Sequence, residues 1–255
     1  MRVLPLVLLL AAAVAGPAAA QDFRWSGRLA QGRTLEIRGV NGDVDVTLAS
    51  GQDIEVTATK KGRDDDPATV KVEAVEHAGG VTICAVYPDR RGRNRCAPGD
   101  EYRMNTEDND VSVHFTVRLP AGVKLDAETV NGGIEAEGLR SDVQATTVNG
   151  GVAVSTTGLA RGQTVNGGVT VALGRADWTG NWEFETVNGS IEVTLPANAN
   201  LRVEAETVNG DITTDFPLTV QGRFGPRSIT GTIGSGGRDL ELSTVNGSIR
   251  LRKAS

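Results

Sequence analysis

The sequence predicts an all-β protein, a β-solenoid in which short rungs stack along one axis. Three observations predict this class. A Thr-Val-Asn-Gly tetrapeptide recurs at intervals near 20 residues, which is typical of solenoids and other repeat arrays. Apolar and polar residues alternate on both sides of each copy, as in strands with one buried face. Aromatic residues make up only 4% of the chain, so we expect a core of small and β-branched side chains.

The first element of the chain is an export signal over residues 1–20. A single positive charge at Arg2 precedes an apolar run from Val3 to Val14, and Ala18-Ala19-Ala20 has the small residues of a cleavage site. The apolar run is too short to span a bilayer comfortably. We therefore expect cleavage near Ala20 and a mature protein that is periplasmic or secreted.

Residues 21–255 are expected to form a single solenoid domain with an irregular insertion at about 60–110. One copy of the tetrapeptide stands early, at Gly39-Val40-Asn41-Gly42, and the regular series begins at Thr129. The segment between them is interrupted by charged and irregular stretches. No second apolar run approaches membrane-spanning length, so we expect no transmembrane segment.

Each repeat predicts a strand, a corner and a second strand. Three residues after each asparagine stands a β-branched residue, and the alternation continues on both sides. Rungs of about 18–21 residues would place the asparagines at one corner, about 4.8 Å apart, where their amides can hydrogen-bond in a ladder. The predicted ladder residues are Asn131, Asn149, Asn166, Asn188, Asn209 and Asn246.

An antiparallel β meander or sandwich is the alternative architecture. Asn-Gly between alternating strands is also the strongest short hairpin signal, because hairpin turns favour residues that adopt positive φ. The solenoid also explains why the corners share one amino-acid sequence, since stacking places identical side chains against one another. We therefore prefer the solenoid.

The corner sequence also resembles a known family. Segments such as Thr129–Ile134 and Thr147–Val152, of the form Thr-Val-Asn-Gly-Gly-Ile/Val, resemble those of secreted bacterial β-helical domains of unknown function that carry the label adhesin. The resemblance covers most of the mature chain. It implies a cell-envelope role with a link to envelope stress, and it implies no known reaction.

No catalytic residue and no cofactor are expected, and we predict that the protein is not an enzyme. The two histidines, His77 and His114, are far apart, and the chain has no nucleophile elbow, no metal-spaced His and Cys set and no phosphate-binding loop. Some β-solenoids act on polysaccharides, so a carbohydrate-active enzyme is one alternative function. A self-assembling structural protein is the other.

Outward positions before two corners hold four glutamates that can form an acidic patch. Like charges on neighbouring strands destabilise a sheet. A bound calcium ion, which prefers oxygen ligands, would relieve the repulsion, and a solvated acidic face is the alternative. The glutamates of this two-by-two patch are Glu183, Glu185, Glu204 and Glu206.

Cys84 and Cys96, the only cysteines, are expected to form a disulfide in an oxidising compartment. The loop that they close carries four arginines, although the chain has a net charge of -6. Such a tethered loop can bind an anionic envelope component, and a solubilising surface loop is the alternative. The arginines are Arg90, Arg91, Arg93 and Arg95.

The expected partner is an envelope polysaccharide or an envelope protein. The acidic balance argues against nucleic acid, which requires a basic surface. Because the chain ends soon after Ile249 and Leu251, we expect the last rung to be open unless its charged terminal residues cap it, and an open rung would pair with another copy or a partner. Trp182 occupies an inward position, whereas Trp178 lies in a predicted turn, where local packing is preferred over stacking on a sugar.

Overall fold

The computed structural model describes residues 23–99, 102, 104–106, 108–225 and 227–255. The predicted signal peptide lies outside these residues. Within them the regular structure consists of β-strands and one short 3-10 helix, Pro67–Thr69. This described part contains no helix long and apolar enough to cross a membrane.

The strands, numbered along the chain, form two sheets. Sheet A has ten strands, in the spatial order β1 (Phe23–Gly27), β4 (Ile54–Lys61), β7 (Ser112–Leu119), β3 (Val44–Leu48), β9 (Ile134–Leu139), β11 (Val152–Thr156), β13 (Val169–Leu173), β15 (Ile191–Leu195), β21 (Ile249–Lys253) and β17 (Ile212–Thr214). Sheet B has eleven, in the order β18 (Thr219–Gly225), β19 (Ser228–Ile233), β16 (Leu201–Asn209), β20 (Arg238–Asn246), β14 (Asn181–Asn188), β12 (Ala160–Gln163), β10 (Val143–Thr146), β8 (Lys124–Glu128), β2 (Thr34–Arg38), β6 (Gly80–Val86) and β5 (Lys71–His77).

Each rung consists of one strand of sheet B, a corner and one strand of sheet A. Successive rungs pair in parallel and in register, so that Val152 lies between Ile134 and Val169. The inward residues of both sheets form one buried apolar cluster between them. The predicted β-solenoid is confirmed, and antiparallel pairing is confined to the two ends of the stack.

The order of the rungs differs from the order of the chain. The last strand pair is inserted into the stack: β20 lies between β14 and β16, and β21 lies between β15 and β17. Ile249 accordingly pairs with both Ile191 and Ile212. The expectation that the C-terminal rung is open and available for self-association is therefore wrong, because both edges of both of its strands are already paired.

Antiparallel strands cover the ends of the stack. At one end β4 and β1 extend sheet A beyond β7, and β5 extends sheet B beyond β6. At the other end β19 and β18 follow β16 in sheet B, whereas the edge strand of sheet A, β17, has only three residues. A short edge strand such as β17 limits further strand addition. The expected insertion at about 60–110 contains β5 and β6, and β6 pairs in parallel with β2.

The glycine of each corner is required by close packing rather than by its backbone angle. Of the seven corner glycines, only Gly42 has a positive φ, 122°. A Cβ on Gly150 would overlap the backbone oxygen of Gly132 on the next rung, and the other five corners, at Gly132, Gly167, Gly189, Gly210 and Gly247, are equally tight. The hairpin explanation for Asn-Gly, which needs positive φ, does not apply to these six corners.

Threonine and asparagine connect each corner to the next. The buried Thr147 donates its hydroxyl to the Gly132 carbonyl at 2.8 Å, and the other corner threonines repeat this bond. The asparagine side chains form a continuous chain of amide hydrogen bonds of 2.8 Å on the outside of the corner. Its order is Asn41, Asn131, Asn149, Asn166, Asn188, Asn246 and Asn209.

Candidate binding site on sheet B

The outer face of sheet B carries three neighbouring features. The loop between Cys84 and Cys96, called the arginine loop below, follows β6 at one end. A groove crosses the starts of β8, β10 and β12 in the middle. The four predicted glutamates lie on β14 and β16 at the other end. The segment that follows the loop contacts the sheet directly, because the Gly99 amide donates to Glu36 Oε2 at 2.9 Å.

The arginine loop is tied to β6 by a disulfide between Cys84 and Cys96, with Cα atoms 5.5 Å apart. Asp89 shapes its tip by accepting hydrogen bonds from the amides of Arg91 and Arg93 at 3.0 and 2.8 Å. These amide bonds are the main reason that the pKa of Asp89 lies below its ordinary value. Arg90, Arg91, Arg93 and Arg95 are all exposed. Arg93 is 3.5 Å from Asp89, and among the described residues the other three have no ion pair.

The base of the loop is fixed by buried and partly buried hydrogen bonds. Asn94 donates to the carbonyls of Tyr87 and Asn105 at 2.9 and 2.7 Å, and it accepts the Asn105 amide. The Tyr87 hydroxyl donates to the Val111 carbonyl at 2.7 Å, and burial raises the pKa of Tyr87 to about 12. The arginines are therefore presented from a fixed support.

A buried charge cluster lies between the loop and the groove. The side chain of Arg38 is only 3% exposed and donates to Asp126 Oδ2 at 2.8 Å and to Glu36 Oε2 at 3.3 Å. Burial lowers the pKa of Arg38, but the bond to Asp126 and the charges of Asp126, Glu128 and Glu36 outweigh it, so the pKa lies above its ordinary value. Arg38 therefore stays charged and holds the carboxylate of Asp126 at the edge of the groove.

The groove has a volume of about 310 Å³. Its wall on β12 and β14 consists of Arg161 and Trp182, and the Arg161 guanidinium carbon lies 4.2 Å from the centre of the Trp182 ring. Trp178, which precedes β14 and does not line the groove, stacks on Trp182 with ring centres 5.4 Å apart. Trp178 is buried, as its preferred local packing requires, whereas Trp182 is half-buried. The lining residues are Thr34, Lys124, Leu125, Asp126, Asp142, Val143, Gln144, Leu159, Arg161 and Trp182.

The predicted glutamates lie on one face, but not as a block of two neighbouring rungs. β20 separates β14 from β16, so that Glu241 stands between Glu183 and Glu204, and Ser243 stands between Glu185 and Glu206. The predicted direct stacking of Glu183 on Glu204 is therefore wrong. Burial and the charges of Glu183, Glu204 and Glu206 raise the pKa of Glu241.

Calcium binding by these glutamates stays a prediction. Among the described residues, no three His, Cys, Asp or Glu side chains are grouped so that they could hold a metal ion. The two histidines lie on different sheets. His114 Nε2 is 3.1 Å from Asp45 Oδ2 on the outer face of sheet A, and His77 Nε2 is 3.2 Å from the Thr82 hydroxyl on sheet B.

Neither the groove nor the buried charge of Arg38 was predicted from the sequence. The only signal for the groove was the step of 22 residues between Asn166 and Asn188, longer than the two steps before it, which carries both tryptophans of the stack. Arg38 gave no signal, because an arginine at an outward strand position is ordinarily exposed and the loop that covers it is distant in sequence.

The chain matches the model of the Toastrack DUF4097 family over residues 28–252. Among solved structures it is similar to a putative cell adhesion protein from Clostridium sporogenes, with 10% identity, a TM-score of 0.40 and coverage of 92% of this chain and 100% of that one. It is also similar to a putative adhesin from Bacteroides fragilis, with 12% identity, a TM-score of 0.36 and coverage of 91% and 98%. No curated protein matches the chain. Likenesses at these scores carry no argument about function.

Proposed function

The chain belongs to the Toastrack DUF4097 family, and we propose that it is an exported, non-enzymatic module that binds an anionic polysaccharide of the cell envelope. The observation that carries this proposal is the arginine loop. Four exposed arginines stand on a disulfide-tethered loop, and only one of them has an ion-pair partner among the described residues.

The chemistry of the loop fits an anionic polymer. Guanidinium groups bind carboxylate and phosphate groups in a bidentate geometry, and several of them on a fixed loop can contact successive repeat units. In a chain of net charge -6, a basic cluster with only one ion pair among the described residues also restricts the attraction of anions to one surface.

A non-enzymatic role is supported by the state of the ionisable groups on this face. The carboxylate of Asp126 is held by Arg38, and that of Asp142 accepts the Leu159 amide at 3.0 Å. The two histidines, His77 and His114, lie on different sheets. Export is supported by the disulfide and by the predicted signal peptide, since disulfides persist in oxidising compartments.

Co-sedimentation with isolated envelope fractions tests the proposal. The wild type should bind saturably and less strongly as salt is raised, and replacing Arg90, Arg91, Arg93 and Arg95 by Ser should abolish binding. The control replaces four arginines on sheet A, which removes the same charge from the opposite face: Arg24, Arg118, Arg250 and Arg252.

Equal binding by the wild type and the loop variant would contradict the proposal. The nature of the partner is tested separately, by treating the envelope fractions with protease before the assay. Unchanged binding supports a polysaccharide, whereas loss of binding indicates an envelope protein and overturns the choice of polymer.

A further inference from the structure

The groove on sheet B owes its shape to the way in which β12 and β14 separate. These strands are paired only at Gln163 and Glu185, so they diverge towards their starts. Trp182 fills part of the gap, and its indole nitrogen donates to the Ala160 carbonyl at 2.6 Å. The remaining space forms a groove of about 310 Å³, at the lower end of the range for small-molecule sites.

The aromatic wall of the groove is fixed at each level. The buried Trp178 donates its indole nitrogen to the Asp239 carbonyl at 3.0 Å, and its own carbonyl accepts from Arg238 at 2.7 Å. Arg161 lies over Trp182 and donates to the Asn181 carbonyl at 3.2 Å. A guanidinium held in this way loses little freedom when it binds a ligand.

The polar groups around the groove are balanced in both charge and hydrogen-bonding capacity. Lys124 and Arg161 are cations, and Asp126 and Asp142 are anions. The cations and the amide of Gln144 donate hydrogen bonds, whereas the carboxylates accept them. The opening therefore offers donors and acceptors side by side and has no net charge of its own.

Two polar atoms of the lining side chains lack partners. Asp126 Oδ1, an acceptor, and Arg161 Nε, a donor, are shielded from solvent and have no hydrogen bond in the structure. Buried polar atoms are nearly always paired, so each such exception calls for an explanation. A ligand hydroxyl, which both donates and accepts, offers the complementary group for either atom.

We propose that this groove binds a neutral pyranose unit of an envelope glycan. Sugar hydroxyls match the mixed donors and acceptors around the opening, and the apolar face of a pyranose ring matches the leucine and tryptophan surfaces of Leu159 and Trp182. The proposal depends on the envelope-binding function above only for the source of the sugar. It assigns to the groove a role separate from that of the arginine loop.

The charges around the groove favour a neutral sugar over an acidic one. Arg161 has no ion pair among the described residues, but Glu183 lies on the next strand, two residues before the paired Glu185, with Glu241 beyond it. A carboxylate bound at Arg161 would be repelled by these glutamates, whereas a hydroxyl would not. An apolar ligand would leave the lining polar groups without partners.

Calorimetric titration of the purified full chain with soluble disaccharides tests the proposal. The neutral probes are cellobiose, maltose and N,N′-diacetylchitobiose, and digalacturonate is the acidic comparison. At least one neutral probe should bind and change the tryptophan fluorescence, and it should bind more tightly than digalacturonate. Arg161→Gln and Gln144→Ala should each weaken binding by about tenfold.

The control is Gln163→Ala, two residues after Arg161 on the outward side of the same strand and outside the groove lining. It should leave affinity unchanged. Because Gln144 is exposed, its variant should unfold like the wild type and so report on binding alone. Failure of all three neutral probes to bind, tighter binding of digalacturonate, or full affinity in both groove variants would each overturn the proposal.

The same titration separates the two proposals. The variant with all four loop arginines replaced should keep its disaccharide affinity if the groove acts independently. Disaccharide binding without envelope binding would refute only the proposed function. Envelope binding that survives Arg161→Gln, with no disaccharide binding by the wild type, would refute only the sugar site.

Discussion

Asn246 donates its side-chain amide to Asn188 at 2.8 Å, although 58 residues separate the two in sequence. Asn209 in turn donates to Asn246 at 2.8 Å. The corner that the chain forms last is therefore enclosed by two that it forms earlier. The rung of β16 and β17 depends on this late insertion, because its only parallel neighbours are β20 and β21.

Truncation before Arg238 should therefore unfold the far end of the stack rather than shorten it by one rung. A solenoid whose rungs follow chain order loses a terminal repeat with little effect on the others. Here the loss of β20 and β21 leaves β14, β15, β16 and β17 without their shared partners. Limited proteolysis should show cleavage spreading into residues 181–233. Resistance equal to that of the full chain would contradict the insertion.

The close packing of corner glycines predicts that alanine has different effects on stability at two adjacent glycines. Gly150→Ala places a Cβ against the backbone of Gly132 and should lower the free energy of unfolding by about 3 kcal/mol. Gly151→Ala meets nothing closer than the Gly168 oxygen at 3.6 Å and should change it by less than about 0.5 kcal/mol. Urea unfolding of both variants measures the difference. Equal losses of stability in the two variants would show that the backbones of neighbouring corners separate easily to accommodate a Cβ.

The buried Arg38 predicts a large loss of stability from a single substitution. Arg38→Met should lower the free energy of unfolding by about 3 kcal/mol, because it leaves the shielded carboxylates of Glu36 and Asp126 without their cation. Arg250→Met is the control, because Arg250 is half-exposed in its 3.6 Å pair with Glu192 and should contribute less than about 1 kcal/mol. Similar losses in both variants would mean that the cluster around Arg38 is effectively solvated.

The raised pKa of Glu241 predicts that removing its charge stabilises the fold in a pH-dependent way. Its pKa in the folded protein is raised by burial and by Glu183, Glu204 and Glu206, so the folded state binds the proton more tightly than the unfolded chain does. The ionised group is thus destabilising above the folded pKa, and this effect disappears as the pH falls below the ordinary value of 4.5. Glu241→Gln should raise the midpoint of thermal unfolding at neutral pH but not at acidic pH.

Glu137→Gln on sheet A is the matched control for this measurement, since it removes the same charge from an exposed position outside the acidic face. It should change the midpoint little at either pH. A gain from Glu241→Gln that persists at acidic pH would show that the effect arises from packing rather than from charge repulsion.

The sequence predicts those parts of the fold that local alternation determines. The inward rows, such as Val152 and Val154, and the corners follow from a pattern of a few residues. The order of the rungs does not follow from such a pattern, because corners with the same amino-acid sequence pair equally well with one another in any order. The acidic patch was consequently placed on neighbouring rungs, whereas Glu241 lies between Glu183 and Glu204.

The candidate site was predictable only where it lies within one stretch of sequence. Cys84 and Cys96 enclose the arginines, so the loop could be identified directly. The groove combines β8, β10, β12 and β14, and its wall depends on how Trp178 and Trp182 stack. Those contacts follow from three-dimensional packing, which a periodic pattern does not specify.

Chemical modification of arginine on the envelope-bound protein tests the central claim, that sheet B is the binding face. Phenylglyoxal labelling followed by mass spectrometry should show protection of Arg90, Arg91, Arg93, Arg95 and Arg161 in the bound state. Arg118 and Arg250 on sheet A, with side chains 65% and 53% exposed, should react as in the free protein. Protection of the sheet A arginines, with the loop arginines as reactive as before, would contradict the account.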